Sequence, residues 1–124
     1  SGRPLSLLAV DVDHFKQIND THGHPVGDKV LQEFSAILGR SIRRTDMAFR
    51  LGGDEFALLL QPADDGAAGR VEARIGYHLA HNSELTPLHV GSSLGFAHWH
   101  KGISASELYQ HADRHLYEVK RNRA

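Results

Sequence analysis

The sequence predicts an α+β domain, with one mixed, mainly antiparallel central sheet flanked by helices. Three observations carry that expectation. Short apolar runs of strand length alternate with longer stretches whose apolar residues recur every three or four positions. Two strand-like runs, residues 47–51 and 55–60, meet at Gly52-Gly53, which reads as a two-residue hairpin connection and brings antiparallel pairing into the sheet. The 124 residues contain no repeat, no low-complexity stretch and no internal linker, so the alternation belongs to one domain over residues 1–124.

Each element has its own signal. "PLSLLAVDVD", residues 4–13, is nearly continuously apolar, as a strand buried on both faces is, and it closes on Asp11 and Asp13. Phe15 and Ile18 then follow helical spacing until Gly23 breaks it, and Pro25 suits the first turn of a second helix. Val26, Val30, Leu31, Phe34, Ile37, Leu38 and Ile42 mark an amphipathic helix running to about Arg43. After the hairpin, "PADDGAAG" is a loop, and Val71, Ile75 and Leu79 predict a helix over residues 67–82. "LHVGSSLGFAHW", residues 88–99, is strand-like though weakened by two glycines. Leu108, Ala112, Leu116 and Val119 predict a last helix, capped by Ser104 or Ser106. The order is βααββαβα.

Composition excludes several classes. There is no Cys, hence no disulfide and no thiolate metal site. The formal net charge is −1 with scattered Lys and Arg, which argues against a surface that tracks nucleic-acid phosphates. No apolar run approaches the ~20 residues of a membrane span, so membrane contact by this domain is not expected. The opening Ser1-Gly2-Arg3, without an initiating Met, reads as a fragment of a longer protein, and Ser1-Gly2 as a candidate cloning scar.

The chemistry gathers around a few side chains. Asp11 and Asp13 stand two apart on a strand and project from one face, whereas the consecutive Asp54 and Glu55 project from opposite faces. If the hairpin lies beside the first strand, Asp11 meets at least one of Asp54 and Glu55 at the sheet's end. Clustered carboxylates repel one another, and a cation compensates. Oxygen-only ligands select Mg²⁺, with Mn²⁺ as the alternative. Alone, an Asp-x-Asp at a strand end is more often a solvated corner. Two features add weight to the metal. Phe15-Lys16 places helix-start amides and an ammonium beside the carboxylates, an arrangement that binds phosphate. Asn19 and Asp28 frame the bend "THGHPVG", and an amide with a carboxylate can read guanine. Together these residues describe a nucleoside triphosphate reaching from a base pocket to a metal.

"DVDHFKQINDTHGHPVGD" followed after a helix by "RLGGDEF" resembles the GGDEF domain family, the diguanylate cyclases, over essentially the whole chain. The resemblance implies a nucleotide-cyclase or palm-like sheet of ferredoxin-like order, condensing two GTP into cyclic di-GMP and releasing two pyrophosphates. Two copies of the domain would face each other in a homodimer. It further implies that Asp11 and Glu55 bind Mg²⁺ with help from the Val12 carbonyl, and that Asp54 is a second ligand or activates the attacking hydroxyl. Phe15 and Lys16 would lie at the phosphates, Asn19 and Asp28 at guanine, and Gly52-Gly53 would let the nucleotide approach the hairpin. Lys120 fits as a further phosphate contact. Arg43 and Asp46 form an Arg-x-x-Asp that resembles the family's product-inhibition site, with Arg74 as a second Arg. A cytoplasmic location is implied as well, whatever anchors the parent protein.

Three departures stand against that pattern. The family's segment before the first strand is missing, His115 replaces the usual Ala in "HADRHLYEVKRNRA", and the Gly-Arg ending is absent, leaving Arg123 as the only imitator. Ten His residues include the pairs His22/His24, His98/His100 and His111/His115, which read as surface His rather than transition-metal ligands. Two rival functions accompany the cyclase. One is a quiet GTP- or cyclic di-GMP-binding module that regulates a fused partner, against which the intact Asp11, Lys16, Asp54 and Glu55 argue. The other is an unrelated metal-dependent nucleotidyl transferase, disfavoured by the full motif set.

Overall fold

The computed structural model describes residues 4–123; the candidate scar at Ser1-Gly2 lies outside them. The elements are β1 (Ser6–Val12), α1 (Phe15–His22), α2 (His24–Ser41), β2 (Met47–Gly52), β3 (Glu55–Leu60), α3 (Ala67–Ala80), a short 3-10 turn at Thr86–Leu88, β4 (Ser92–His98) and α4 (Ala105–Arg123). The predicted order holds. The sheet runs β2-β3-β1-β4, and all of its pairings are antiparallel, so the mixed character expected from the sequence has no parallel pair behind it among the described residues.

Alternation along β1 decides which helices lie where. Leu8, Val10 and Val12 join Phe56, Leu58, Leu60 and Leu94 on one face, which α2 covers with Val30, Phe34, Ile37 and Leu38 and α3 with Val71, Ile75 and Leu79. Phe34 meets Phe56 edge to face with ring centroids 5.4 Å apart. On the other face Ala9 packs against Ala112 and Leu116 of α4. That helix lies so close to β4 that a Cβ on Gly95 would fall 2.1 Å from the Leu116 nitrogen. Only glycine permits this seam. α4 lies mainly over β4 and β1, and Met47, Phe49 and Leu51 of the edge strand β2 remain exposed.

Element ends differ from expectation where local hydrogen bonds intervene. α2 stops at Ser41, because Ile42 turns extended and the Arg43 amide donates to Asp46 Oδ2 at 2.8 Å. β4 begins at Ser92, since Pro87 favours the 3-10 turn and His89 takes a left-handed conformation with φ 55°. The start of α4 agrees with expectation, Ser104 being one of the two capping serines the sequence offered. The Ser104 hydroxyl accepts from the Glu107 amide at 3.1 Å while Glu107 Oε1 accepts from the Ser104 amide at 3.0 Å, a reciprocal capping box. No helix among the described residues is long and apolar enough to cross a membrane.

Candidate active site

The register of β1 on β3 sets Asp11 directly opposite Glu55. The predicted meeting of carboxylates at the sheet's end is therefore present. The hairpin reaches it differently from the expected Gly52-Gly53 connection: Gly52 pairs with Glu55, so the two loop residues are Gly53 and Asp54. Both glycines have positive φ, 147° and 51°, which accounts for their identity, and a Cβ on either would meet nothing within 4 Å. The space above this corner is open. Arg50 holds the corner in shape, its Nε and Nη2 donating to the Gly53 carbonyl at 3.0 and 2.8 Å.

Asp11 is buried at 8% exposure, Val12 beside it is buried, Asp54 is half-buried and Glu55 exposed. Asp11 Oδ2 accepts from Lys120 Nζ at 2.5 Å, and its Oδ1 is buried with no hydrogen-bond partner. Burial pushes its pKa above the usual carboxylate range; Lys120 pulls the other way, and Asp54 and Asp13 add repulsion. The Tyr109 hydroxyl donates to Glu55 Oε2 at 3.4 Å. Burial first, then the charges of Asp113 and Glu55, push the Tyr109 phenol up to about 12, so it stays a donor. A partnerless, desolvated carboxylate oxygen beside a second carboxylate fits a hard divalent cation. No three His, Asp or Glu side chains converge on one point among the described residues, so such an ion would draw its remaining ligands from the Val12 carbonyl, water and substrate.

The sequence placed Asp11 and Asp13 on one strand face, but β1 ends at Val12. Asp13 sits in the following turn, where its Oδ1 accepts from Ser93 Oγ at 2.5 Å and its Oδ2 lies 3.8 Å from Arg123 Nη1. His14, left-handed at φ 56°, then starts α1 without a side-chain cap, leaving first-turn amides open. Lys16 is exposed in that turn, whereas the Phe15 ring packs toward the core, so any phosphate contact from Phe15 is made by its backbone. Asp13, His14, Ser93, Lys120 and Arg123 line a cavity of about 240 Å³. α4 is continuous through Arg123, which puts Lys120 and Arg123 on one helix face, and Arg123 Nη1 donates to Ser93 Oγ at 2.9 Å.

At the other end, Asn19 lies under Gly27: a Cβ there would sit 1.8 Å from Asn19 Oδ1. That oxygen is buried and has no hydrogen-bond partner. Asp28, exposed on α2, lines a cleft of about 430 Å³ with Leu31, Gln32, Ser35 and Arg50.

Comparison with known proteins identifies the family and the fold. A family model described as "Diguanylate cyclase, GGDEF domain" matches residues 1–124. The chain belongs to the GGDEF domain family. It is 41% identical over 116 residues to the diguanylate cyclase DgcS of Shewanella oneidensis, covering 94% of this chain and 39% of that protein. It is 37% identical over 127 residues to the response regulator PleD of Caulobacter vibrioides, covering 96% and 28% respectively. The crystallised GGDEF domain of DgcB from Caulobacter crescentus, in complex with c-di-GMP, superposes with a TM-score of 0.86 at 30% identity, over 98% of this chain and 74% of that one. Across the curated relatives matched first, the GGDEF domain described here spans 27% to 39% of their length.

Elsewhere on the GGDEF domain, Arg43 and Asp46 form a closed clasp. Asp46 is buried and accepts from the Arg43 amide, from Arg43 Nε and Nη2 at 3.0 Å each, and from the Gln61 amide at 3.0 Å. Arg43 Nη2 also donates to the Pro62 carbonyl at 2.5 Å. Arg74 Nε donates to the Ser41 carbonyl at 2.7 Å, and Arg43, Arg70 and Arg74 line one small cavity of about 60 Å³ with Asp46. Sequence reasoning missed Ser93, His14, Tyr109 and Arg70. Of these only Arg70 left a signal, four residues before Arg74 on the same helix face. Among the His pairs, His115 Nδ1 accepts from the Phe96 amide at 2.9 Å and His98 Nδ1 lies 2.5 Å from Ser6 Oγ.

Proposed function

We propose that this GGDEF domain is a diguanylate cyclase, condensing two GTP into cyclic di-GMP and two pyrophosphates between two copies of the domain. The observation that carries the reading is the cross-strand pairing of Asp11 with Glu55, with a partnerless Asp11 oxygen, beside a cavity holding Lys120 and Arg123. In this reading Asp11 and Glu55, with the Val12 carbonyl, hold Mg²⁺, or Mn²⁺ in its place. The bound cation supplies charge compensation at the phosphates and a lowered pKa for the attacking hydroxyl. Asp54, at the turn, ligates the ion or orients that hydroxyl. Open amides at the start of α1, with Lys16, Lys120 and Arg123, hold the triphosphate. The Asn19 oxygen and the Asp28 carboxylate take hydrogen bonds from the guanine edge, which an adenine edge does not offer in the same places. Gly52 and Gly53 leave room for the nucleotide above the hairpin.

Each site carries one nucleotide, so turnover requires two domains face to face, and the relatives' much greater length is consistent with pairing driven from elsewhere in the protein. Product inhibition is proposed at the exposed edge of Arg43, with Arg70 and Arg74. Asp46 serves there as the buried anchor that aims Arg43, because both its oxygens are already engaged. The test is a dimerised version, fused to a coiled coil and supplied with Mg²⁺ and either GTP or ATP. Cyclic di-GMP from GTP, and no product from ATP, is expected. A soluble, GTP-binding dimer that makes no product would refute the reading.

A further inference from the structure

Lys120 occupies a position that two ligands would contest. Its ammonium rests on Asp11 Oδ2 at 2.5 Å, and the same side chain lines the cavity that contains Arg123, His14 and Ser93. Asp11 is nearly enclosed, its side chain 11% exposed, whereas that of Lys120 is 42% exposed. The other Asp11 oxygen has no partner, so the carboxylate is only half-satisfied by this contact. A lysine is a compact point charge on a flexible stem, able to serve either the carboxylate or a phosphate, and while it rests on Asp11 its charge repels a divalent cation at the free oxygen.

We propose that Lys120 is a placeholder cation: it closes Asp11 to a bare divalent ion, and a polyphosphate opens the site by drawing the ammonium into the cavity beside Arg123. The inference rests on the metal and triphosphate assignments made above. Its consequence is an order of assembly. The ion is admitted with the nucleotide rather than before it, and by linkage each raises the affinity of the other. Lys120 is here a positioning residue for the ion as well as a contact for the phosphates. Neutralising it has effects of opposite sign: nucleotide binding weakens while binding of the bare ion strengthens.

The experiment measures Mn²⁺ binding to the chain by electron paramagnetic resonance, with and without a non-hydrolysable GTP analogue. Wild type is compared with Lys120→Met, Lys120→Gln and the charge-retaining Lys120→Arg, each first shown to keep the wild-type melting transition. The neutral variants are expected to bind bare Mn²⁺ about tenfold more tightly than wild type, since an adjacent cation commonly stabilises a carboxylate by that factor. They should also show a smaller gain on adding nucleotide, and Lys120→Arg should stay as weak as wild type toward the bare ion. If wild type takes up Mn²⁺ with the nucleotide but the neutral variants bind bare Mn²⁺ no more tightly, the placeholder is refuted and the proposed function stands. If neither protein takes up Mn²⁺ even with the nucleotide, both fall.

Discussion

Two buried aspartates, each 8% exposed as a residue, sit beside cations in this molecule and meet opposite fates. Burial is the largest influence on Asp46 and pushes its pKa up. The Arg43 guanidinium and the amides of Arg43 and Gln61 together overcome it, and the carboxyl ends below its usual value. At Asp11 burial is again the largest influence, but a single ammonium does not offset it, and the carboxyl ends above its usual value. Two things differ: both oxygens of Asp46 are engaged and one of Asp11's is not, and the neighbouring Asp54 and Asp13 add repulsion at Asp11. A satisfied buried carboxylate fastens the chain. An unsatisfied one costs the fold the desolvation of its unpaired oxygen.

The largest effect expected from testing that contrast falls on catalysis. Glu55→Ala, removing Asp11's cross-strand partner, should lower cyclic di-GMP formation by the dimerised protein by at least about a hundredfold. The variant should melt like wild type, because Glu55 is exposed. Retained turnover would place the metal elsewhere. Next in size is Asp46→Ala, which leaves the Gln61 amide and the inner face of Arg43 without an acceptor. It should cost about 2–3 kcal/mol, seen as a fall of roughly 10 °C in the thermal midpoint. Asp11→Asn should do the reverse at pH 7: activity falls, yet the midpoint rises, because a charge that the fold disfavours has been removed. A lower midpoint would show that Lys120 does satisfy Asp11.

Acid sharpens the same comparison. Asp46, with its folded pKa depressed, stabilises the fold above its unfolded value near 3.8 and loses that contribution as pH falls through the folded value. Asp11, with its folded pKa raised, costs stability once pH climbs past 3.8, and protonation relieves that cost on acidification. Chemical denaturation from pH 6 down to pH 3 should therefore show a shallower loss of stability for Asp46→Asn and a steeper one for Asp11→Asn. Parallel curves would mean that the two environments are alike. The smallest effect on the fold belongs to Arg70→Ala. It should leave the melting transition within about 1 °C, since its ion pair with Asp64 is exposed, while raising the product concentration needed for half-inhibition.

Much of this was legible in the sequence because it is local. Strand and helix periods gave the four strands and four α-helices of the described residues, and the hairpin together with the run that holds Asp11 was enough to bring Asp11 and Glu55 together. The turn was misplaced by one residue because Gly52-Gly53 reveals freedom of φ without revealing which two residues turn. Ser104 could have been chosen over Ser106, since Glu107 stands three residues after it and supplies the reciprocal bond. Other parts are contacts between residues far apart in the chain. Tyr109 reaching Glu55, Ser93 between Asp13 and Arg123, and Lys120 on Asp11 depend on how tightly α4 seats against Gly95, which no short stretch encodes. Asp13 was misassigned for a related reason: β1 stops where the turn into α1 begins, one residue before the pleat would have brought it round.

Tyr109 and Lys120 both belong to α4 and touch the two facing carboxylates from either side. Eleven residues separate them, about three full turns, so both project from one side of the rod. The helix thus spans the paired strands like a yoke, with one arm on Glu55 and the other on Asp11. Inserting or deleting a single residue within 110–119 would swing one arm by about 100° relative to the other and disconnect it, even if the helix itself stayed intact. The length of this segment, as much as its composition, is therefore part of what the site requires.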